Sequence, residues 1–140
     1  MVTFKLKGRE IPLIYTVCEM KQVQEEIAPL GDFQYVLTGR NKDNPDDTSQ
    51  YAGPEHLAAV AKLVRILGNA GLEESGENPD LTDRKVMRAM RPMQVADAVS
   101  ACMDAINEGM ASEIPDKEPE NGEPVDVTLE EMRTKKEKAG

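Results

Sequence analysis

Apolar residues recur at helical spacing up to about residue 112 of this chain and then become rare. That periodicity predicts a single globular domain over residues 1–112. From Glu113 to Glu131 the chain has eight acids, one lysine and three prolines, a composition that cannot build a hydrophobic core. We therefore expect a folded body followed by an acidic, proline-containing tail, 113–140, that is disordered on its own.

The tail ends in a segment that can form a short basic helix. Thr128 with Glu131 three residues later is a capping-box pattern, and the lysines that follow suit the C-terminal end of a helix. The two apolar residues of this segment are Leu129 and Met132. A helix of about ten residues is marginal alone, so we expect Leu129 and Met132 to contact a partner protein.

Apolar and polar residues alternate along residues 2–15, which predicts a β-hairpin at the start of the body. A type II′ turn at Gly8–Arg9 would place Phe4 opposite Leu13. Pro12 cannot donate a hydrogen bond to a neighbouring strand, so its strand is expected at a sheet edge. Such an edge is where a second copy of the chain could pair, giving a homo-oligomer.

Five helices are predicted after the hairpin, so the expected fold class is α+β with a mainly helical body. The first four are predicted at about 16–28, from 32 to Gly39, from 54 to the stretch 68–71, and at 82–90; the last carries the apolar residues from Val95 to Met110. The third helix has apolar residues on several sides and is expected at the centre of the body. Gly68 and Gly71 are predicted to end this helix, because glycine is common just after a helix terminus.

No group of residues in the chain has the pattern of a catalytic or metal site. The single histidine, His56, has no second histidine and no cysteine near it, and it is expected on the surface at a helix start. The oxygen-rich stretch 43–47 lacks the glycine and the distal glutamate of a calcium-binding loop. We therefore predict a protein that is not an enzyme and has no cofactor and no metal.

Near the end of the body the chain carries a basic stretch that could bind an acidic partner or the acidic tail of the same chain. Its members are Arg84, Lys85, Arg88 and Arg91. Most such stretches are solvated helix faces, and that interpretation stays open.

Five of the eight methionines lie in the last third of the body, at 87, 90, 93, 103 and 110. Filling the core is one explanation for them. The other is a groove that repacks around different helices, since methionine side chains are flexible and polarisable. Periodicity does not distinguish the two.

The net charge of −9 argues against nonspecific nucleic-acid binding, which needs basic residues to neutralise phosphates. The cysteines Cys18 and Cys102 lie far apart in the sequence and are expected to be buried and reduced. No apolar run approaches the roughly 20 residues of a membrane-spanning helix. With no signal-peptide pattern, these features predict a cytoplasmic protein.

The order of elements resembles that of the tail assembly chaperones of siphophages and related prophages, which open with a short hairpin like Val2–Leu13 and continue as helices. More specific is the succession of an apolar helix end at Ile66–Leu72, a helix start at Asn78–Thr82 and an apolar helix end at Ile106–Met110. The charged tail that ends in lysines also resembles the tails of these chaperones.

The resemblance implies a non-enzymatic chaperone in the bacterial host cytoplasm that binds the tape measure protein and helps recruit tail tube subunits. It also implies a longer, frameshifted form in many members of the family. An alternative from the charge alone is an acidic regulatory protein that mimics nucleic acid and binds a basic partner. An enzyme ranks third, because no nucleophile and base form a pair.

Overall fold

A two-stranded antiparallel hairpin opens the chain, and five α-helices follow it within residues 1–111, the part that this computed structural model describes. The elements are β1 (Val2–Leu6), β2 (Arg9–Leu13), α1 (Val17–Glu26), α2 (Leu30–Thr38), α3 (Pro54–Glu74), α4 (Asp83–Ala89) and α5 (Val95–Ala111). The predicted α+β class with a helical body is confirmed. The predicted tail helix, with Leu129 and Met132, lies outside the described residues.

The hairpin turn differs from the predicted one. Its central residues are Lys7–Gly8, with φ of 53° and 82°, and a two-residue turn with positive φ at both positions is of type I′. Phe4 pairs with Ile11, so the predicted register, with a type II′ turn at Gly8–Arg9, is wrong by two residues. A shift of two leaves the same side chains on the same face, and hydrophobic patterning therefore could not reveal it.

Helix α3 runs for 21 residues, and the two glycines predicted to end it lie inside it. A Cβ atom added at Gly71 would lie 1.8 Å from the carbonyl oxygen of Pro12, and one added at Gly68 would lie 2.7 Å from Leu81 Cδ1 and 3.0 Å from Ile11 Cγ2. Gly71 therefore lets β2 approach the helix backbone, and Gly68 leaves room for the side chains of Leu81 and Ile11. The prediction failed because close packing of a distant segment, and not helix termination, requires glycine here.

Strand β2, which holds Pro12, is an outer strand of the two-stranded sheet, as predicted. Helix α3 lies along the side of β2 that faces away from β1. Just beyond β2, the Ile14 amide donates a hydrogen bond to the Leu67 carbonyl at 3.2 Å. The other edge of the described sheet is that of β1, where the Lys5 carbonyl accepts a hydrogen bond from Gln94 Nε2 at 3.1 Å. Self-association through the hairpin stays a prediction.

The core forms around α3, against which β2, α1, α2 and α4 pack, and α5 adds further side chains to it. Its largest side chains that are fully buried are Ile11, Leu13, Val23, Leu37, Val60, Leu63, Val64, Leu67, Leu72, Val86 and Cys102. Burial raises the pKa of the Cys102 thiol to about 12, so this cysteine is an inert core residue. Cys18 is exposed, which corrects the expectation that both thiols are buried, and the two are not bonded to each other.

Two polar residues of α3 hold neighbouring segments against this helix by hydrogen bonds. Asn69 donates from Nδ2 to the Leu81 carbonyl at 3.0 Å and accepts from the Leu81 amide at 2.9 Å. Four residues earlier, Arg65 donates from Nε to Asp83 Oδ1 at 2.6 Å and from Nη2 to Glu26. The guanidinium of Arg65 therefore joins α1, α3 and α4.

The carboxylates around Arg65 make the stability of the body depend on pH. The hydrogen bond from Arg65 holds the pKa of Glu26 below its usual value. Burial raises the pKa of Asp83, but hydrogen bonds from Arg65 and Lys62 outweigh it and lower the pKa overall. A carboxyl with a lowered pKa in the folded state stabilises that state above its unfolded pKa, and this stabilisation is lost as the pH falls through the folded value.

We expect the free energy of unfolding to decrease as the pH is lowered from 7 to about 3, mainly below about pH 4.5, where free carboxyls titrate. The substitution Arg65→Met should lower it at pH 7 by about 1–2 kcal/mol, because both acids are partly screened by solvent. The same substitution should also make the free energy of unfolding depend less on pH, because Glu26 and Asp83 lose the hydrogen bonds that lower their pKa values. Urea unfolding followed by circular dichroism measures both effects. As the control, Lys21→Met removes only an exposed pair with Glu25 and should change little; an equal loss in both variants would contradict the prediction.

Candidate functional site: an apolar groove at Tyr51

An apolar hollow of about 400 Å³ opens on the surface where the start of α3 faces the end of α4. It is lined by Tyr51, Ala52, Leu57, Val60, Met87, Met90, Arg91, Pro92 and Val95. Its walls come from three places: the segment before α3, the first turns of α3, and the end of α4 with the break that leads into α5. Pro92 causes that break, because it cannot continue a helix, and the Met90 backbone is extended.

A second hollow, of about 460 Å³, shares the lining residue Tyr51 with the first. It is lined by Leu37, Thr38, Arg40, Thr48, Tyr51, Ala96 and Val99. Both hollows lie beside the start of α5, because Val95 lines the first and Ala96 and Val99 line the second. We call the two hollows together the Tyr51 groove.

The methionines divide between the two roles that the sequence left open. Met87, 49% exposed, and the half-buried Met90 line the Tyr51 groove. Met103 is half-buried against the core, whereas Met93 and Met110 are exposed. None of the five is fully buried, so core filling is not their common purpose. Met87 and Met90 give the groove flexible side chains that can adapt to an occupant.

His56 holds the Tyr51 segment in place, and the prediction that it lies on the surface is wrong. The side chain is buried, with 3% exposed. Its Nδ1 accepts a hydrogen bond from the Ala52 amide at 2.8 Å, so Nε2 must carry the proton and donates to the Leu37 carbonyl, also at 2.8 Å. The ring centroids of Tyr51 and His56 are 4.8 Å apart.

Both ring nitrogens of His56 are therefore occupied by backbone groups, and the imidazole serves as a clamp between α2 and the segment before α3. Sequence reasoning missed this role because the partners lie 4 and 19 residues away and are backbone atoms, which leave no side-chain pattern. The signal in the sequence was weak: a histidine two residues after the proline that opens the most apolar helix.

The four predicted basic residues do not form one cluster. All are exposed, and within residues 1–111 none makes an ion pair. Arg91 lines the Tyr51 groove. Lys85 donates from Nζ to the Asp80 carbonyl at 3.0 Å and lines a separate hollow of about 250 Å³ beside the hairpin turn. Arg84 and Arg88 lie on α4 and line neither part of the groove.

The charge of the groove differs from that of the chain as a whole. Although the net charge is −9, the charged residues lining its two hollows are Arg40 and Arg91, and no acid lines either. Arg40 donates from Nη1 to the Pro45 carbonyl at 3.3 Å, which uses one of its five donors. Sequence reasoning did not single out Arg40, because it lies 51 residues from Arg91.

Within residues 1–111, no group of three or more His, Cys, Asp or Glu residues is placed to hold a metal ion. None of the helices in that range is long and apolar enough to cross a membrane. Comparison with known protein families, with curated proteins and with solved structures finds no match for this chain.

Proposed function

We propose that this protein is a non-enzymatic assembly chaperone that holds a helical client protein on its surface. By the resemblance to phage tail assembly chaperones, the client is the tape measure protein. The chaperone would act in the cytoplasm of a bacterial host and help recruit tail tube subunits during tail morphogenesis. The observation that supports the proposal best is the apolar, methionine-lined groove at Tyr51.

The chemistry of the groove suits a helix. A helix docks into an apolar groove with side chains at positions i, i+3, i+4 and i+7, and the groove must adapt if successive segments of a long client differ. Tyr51 and Met87 are 46% and 49% exposed, so apolar side chains in the groove are open to such a client.

We expect the full chain to co-purify with a co-expressed fragment of the tape measure protein, and Leu57→Asp to reduce the recovered complex at least about tenfold, because a buried carboxylate is costly. Leu57 lines the groove and is 37% exposed, so the substitution leaves the core intact. The matched control is Val17→Asp on α1, where an exposed apolar residue lies outside the groove. Pull-down followed by quantification of both chains measures the effect.

Failure of the wild-type chain to retain the fragment at any salt concentration would overturn the proposal. The alternative, an acidic protein that mimics nucleic acid, is favoured by the eight acids from Glu113 to Glu131. It predicts that Leu57→Asp has no effect and that a complex with a basic partner dissociates as salt screens the charges. A complex held by apolar contacts should persist in 0.5 M salt.

A further inference from the structure

We infer that the Tyr51 groove selects helices whose apolar stripe is flanked by acidic residues. This inference rests on the proposed client-holding function, and it names the chemistry of the client. Its basis is that an apolar hollow and a more polar one share Tyr51, and that each is lined by one arginine and no acid, in a chain with 26 acids and 17 bases.

The placement of charge, and not its total, distinguishes this groove. Over the rest of the chain an acidic client would meet mainly like charge. An arginine at the rim of an apolar site instead attracts an acidic side chain that lies beside the apolar stripe of the client helix. The same arginine repels a basic side chain at that place, which disfavours a basic client. A basic client would meet Arg40 in one hollow and Arg91 in the other as its apolar residues entered.

Arginine suits this position for two reasons. Its hydrocarbon stem extends the apolar wall while its guanidinium stays in water, and the guanidinium binds a carboxylate through two parallel hydrogen bonds. Neither Arg40 nor Arg91 has an acidic partner within residues 1–111, so each is available to a client.

The arrangement of the two hollows sets how such a helix would lie. They share Tyr51 and continue along Val95, Ala96 and Val99 at the start of α5. A helix laid over Tyr51 would place successive apolar side chains in the two hollows. Acidic residues beside the stripe could then meet Arg91 in one hollow and Arg40 in the other.

The test uses two synthetic amphipathic peptides of about 20 residues, long enough to form helix on binding. Both have the same leucine stripe at positions i, i+3, i+4 and i+7, but one has glutamates and the other lysines beside it. Titrated into the full chain and followed by fluorescence polarisation, the glutamate peptide should bind about tenfold more tightly, since each exposed ion pair contributes up to about fivefold.

Charge reversal in the groove should weaken this preference. Arg91→Glu and Arg40→Glu should each lower the affinity for the glutamate peptide and raise it for the lysine peptide. Lys21→Glu changes the net charge by the same amount but lies on α1, outside the groove, and should leave the ratio of affinities unchanged. Circular dichroism and thermal unfolding establish that each variant is folded.

Each outcome separates this inference from the proposed function. Equal binding of both peptides, with loss of both in Leu57→Asp, would overturn the charge selectivity and leave the helix-holding groove. Binding of neither peptide would overturn both. If sedimentation shows a dimer that dissociates in Leu57→Asp and excludes the peptides, the occupant of the groove is a second copy of the chain and the inference is wrong.

Discussion

Replacing Gly71 by alanine should destabilise the body by about 3 kcal/mol or more, at the upper end of what overpacking costs. The added Cβ would lie 1.8 Å from the Pro12 carbonyl oxygen and 2.4 Å from its carbonyl carbon. These are backbone atoms of β2, so no side chain can rotate away, and the hairpin must move off α3. Urea unfolding measures the loss, and the tryptophan-free chain requires circular dichroism as the probe.

The matched control is Gly31→Ala in α2, where an added Cβ meets no atom within 4 Å. Alanine has the higher helix propensity, so this variant should be more stable by about 0.5–1 kcal/mol. If Gly71→Ala lowers the free energy of unfolding and Gly31→Ala raises it, the cost at Gly71 comes from packing and not from the substitution itself. If Gly71→Ala unfolds at the same urea concentration as wild type, the close approach of β2 to α3 does not occur in solution.

Replacing His56 by leucine should cost about 2–4 kcal/mol and weaken client binding as well. Leucine fills much of the volume but leaves the Ala52 amide and the Leu37 carbonyl without their hydrogen bonds. The segment that holds Tyr51 would then lose its attachment, and a groove lined by Tyr51 needs that side chain in place. Thermal unfolding measures the first effect, and polarisation with the glutamate peptide measures the second.

Hydrogen exchange gives a separate readout for the clamp. The Ala52 amide should exchange at least about tenfold faster in His56→Leu than in wild type, because its acceptor is gone. Glu55→Ala, an exposed neighbour at the start of the same helix, should change neither stability nor exchange appreciably. Unchanged exchange at Ala52 in the leucine variant would contradict the role assigned to His56.

Local chemistry made several elements predictable. Thr82 begins α4 as predicted, with its hydroxyl accepting from the Lys85 amide, and Gly39 ends α2 with a φ of 70°. Thr16 likewise begins α1 by a capping box with Glu19. These signals depend on residues within four positions of each other, so they can be read from the chain alone.

Other features depend on which segments meet. The two-residue shift of the hairpin register keeps the same face buried, so only the turn conformation and the packing on α3 decide it. Gly68 and Gly71 have the composition of a helix end, yet α3 continues through them because β2 and Leu81 need the space. His56 looks like a surface residue until α2 and the Ala52 segment supply partners for both nitrogens.

The sequence by itself determined the α+β class and the helical body, because hydrophobic periodicity is a local property of the chain. Only the tertiary structure decided which apolar residues stay uncovered. Leu57 and Met87, which are exposed in the groove, belong to different helices, and their exposure depends on neighbours that are distant in sequence. The same reason applies to charge: Arg40 and Arg91 act on one groove only because the fold brings their hollows together at Tyr51.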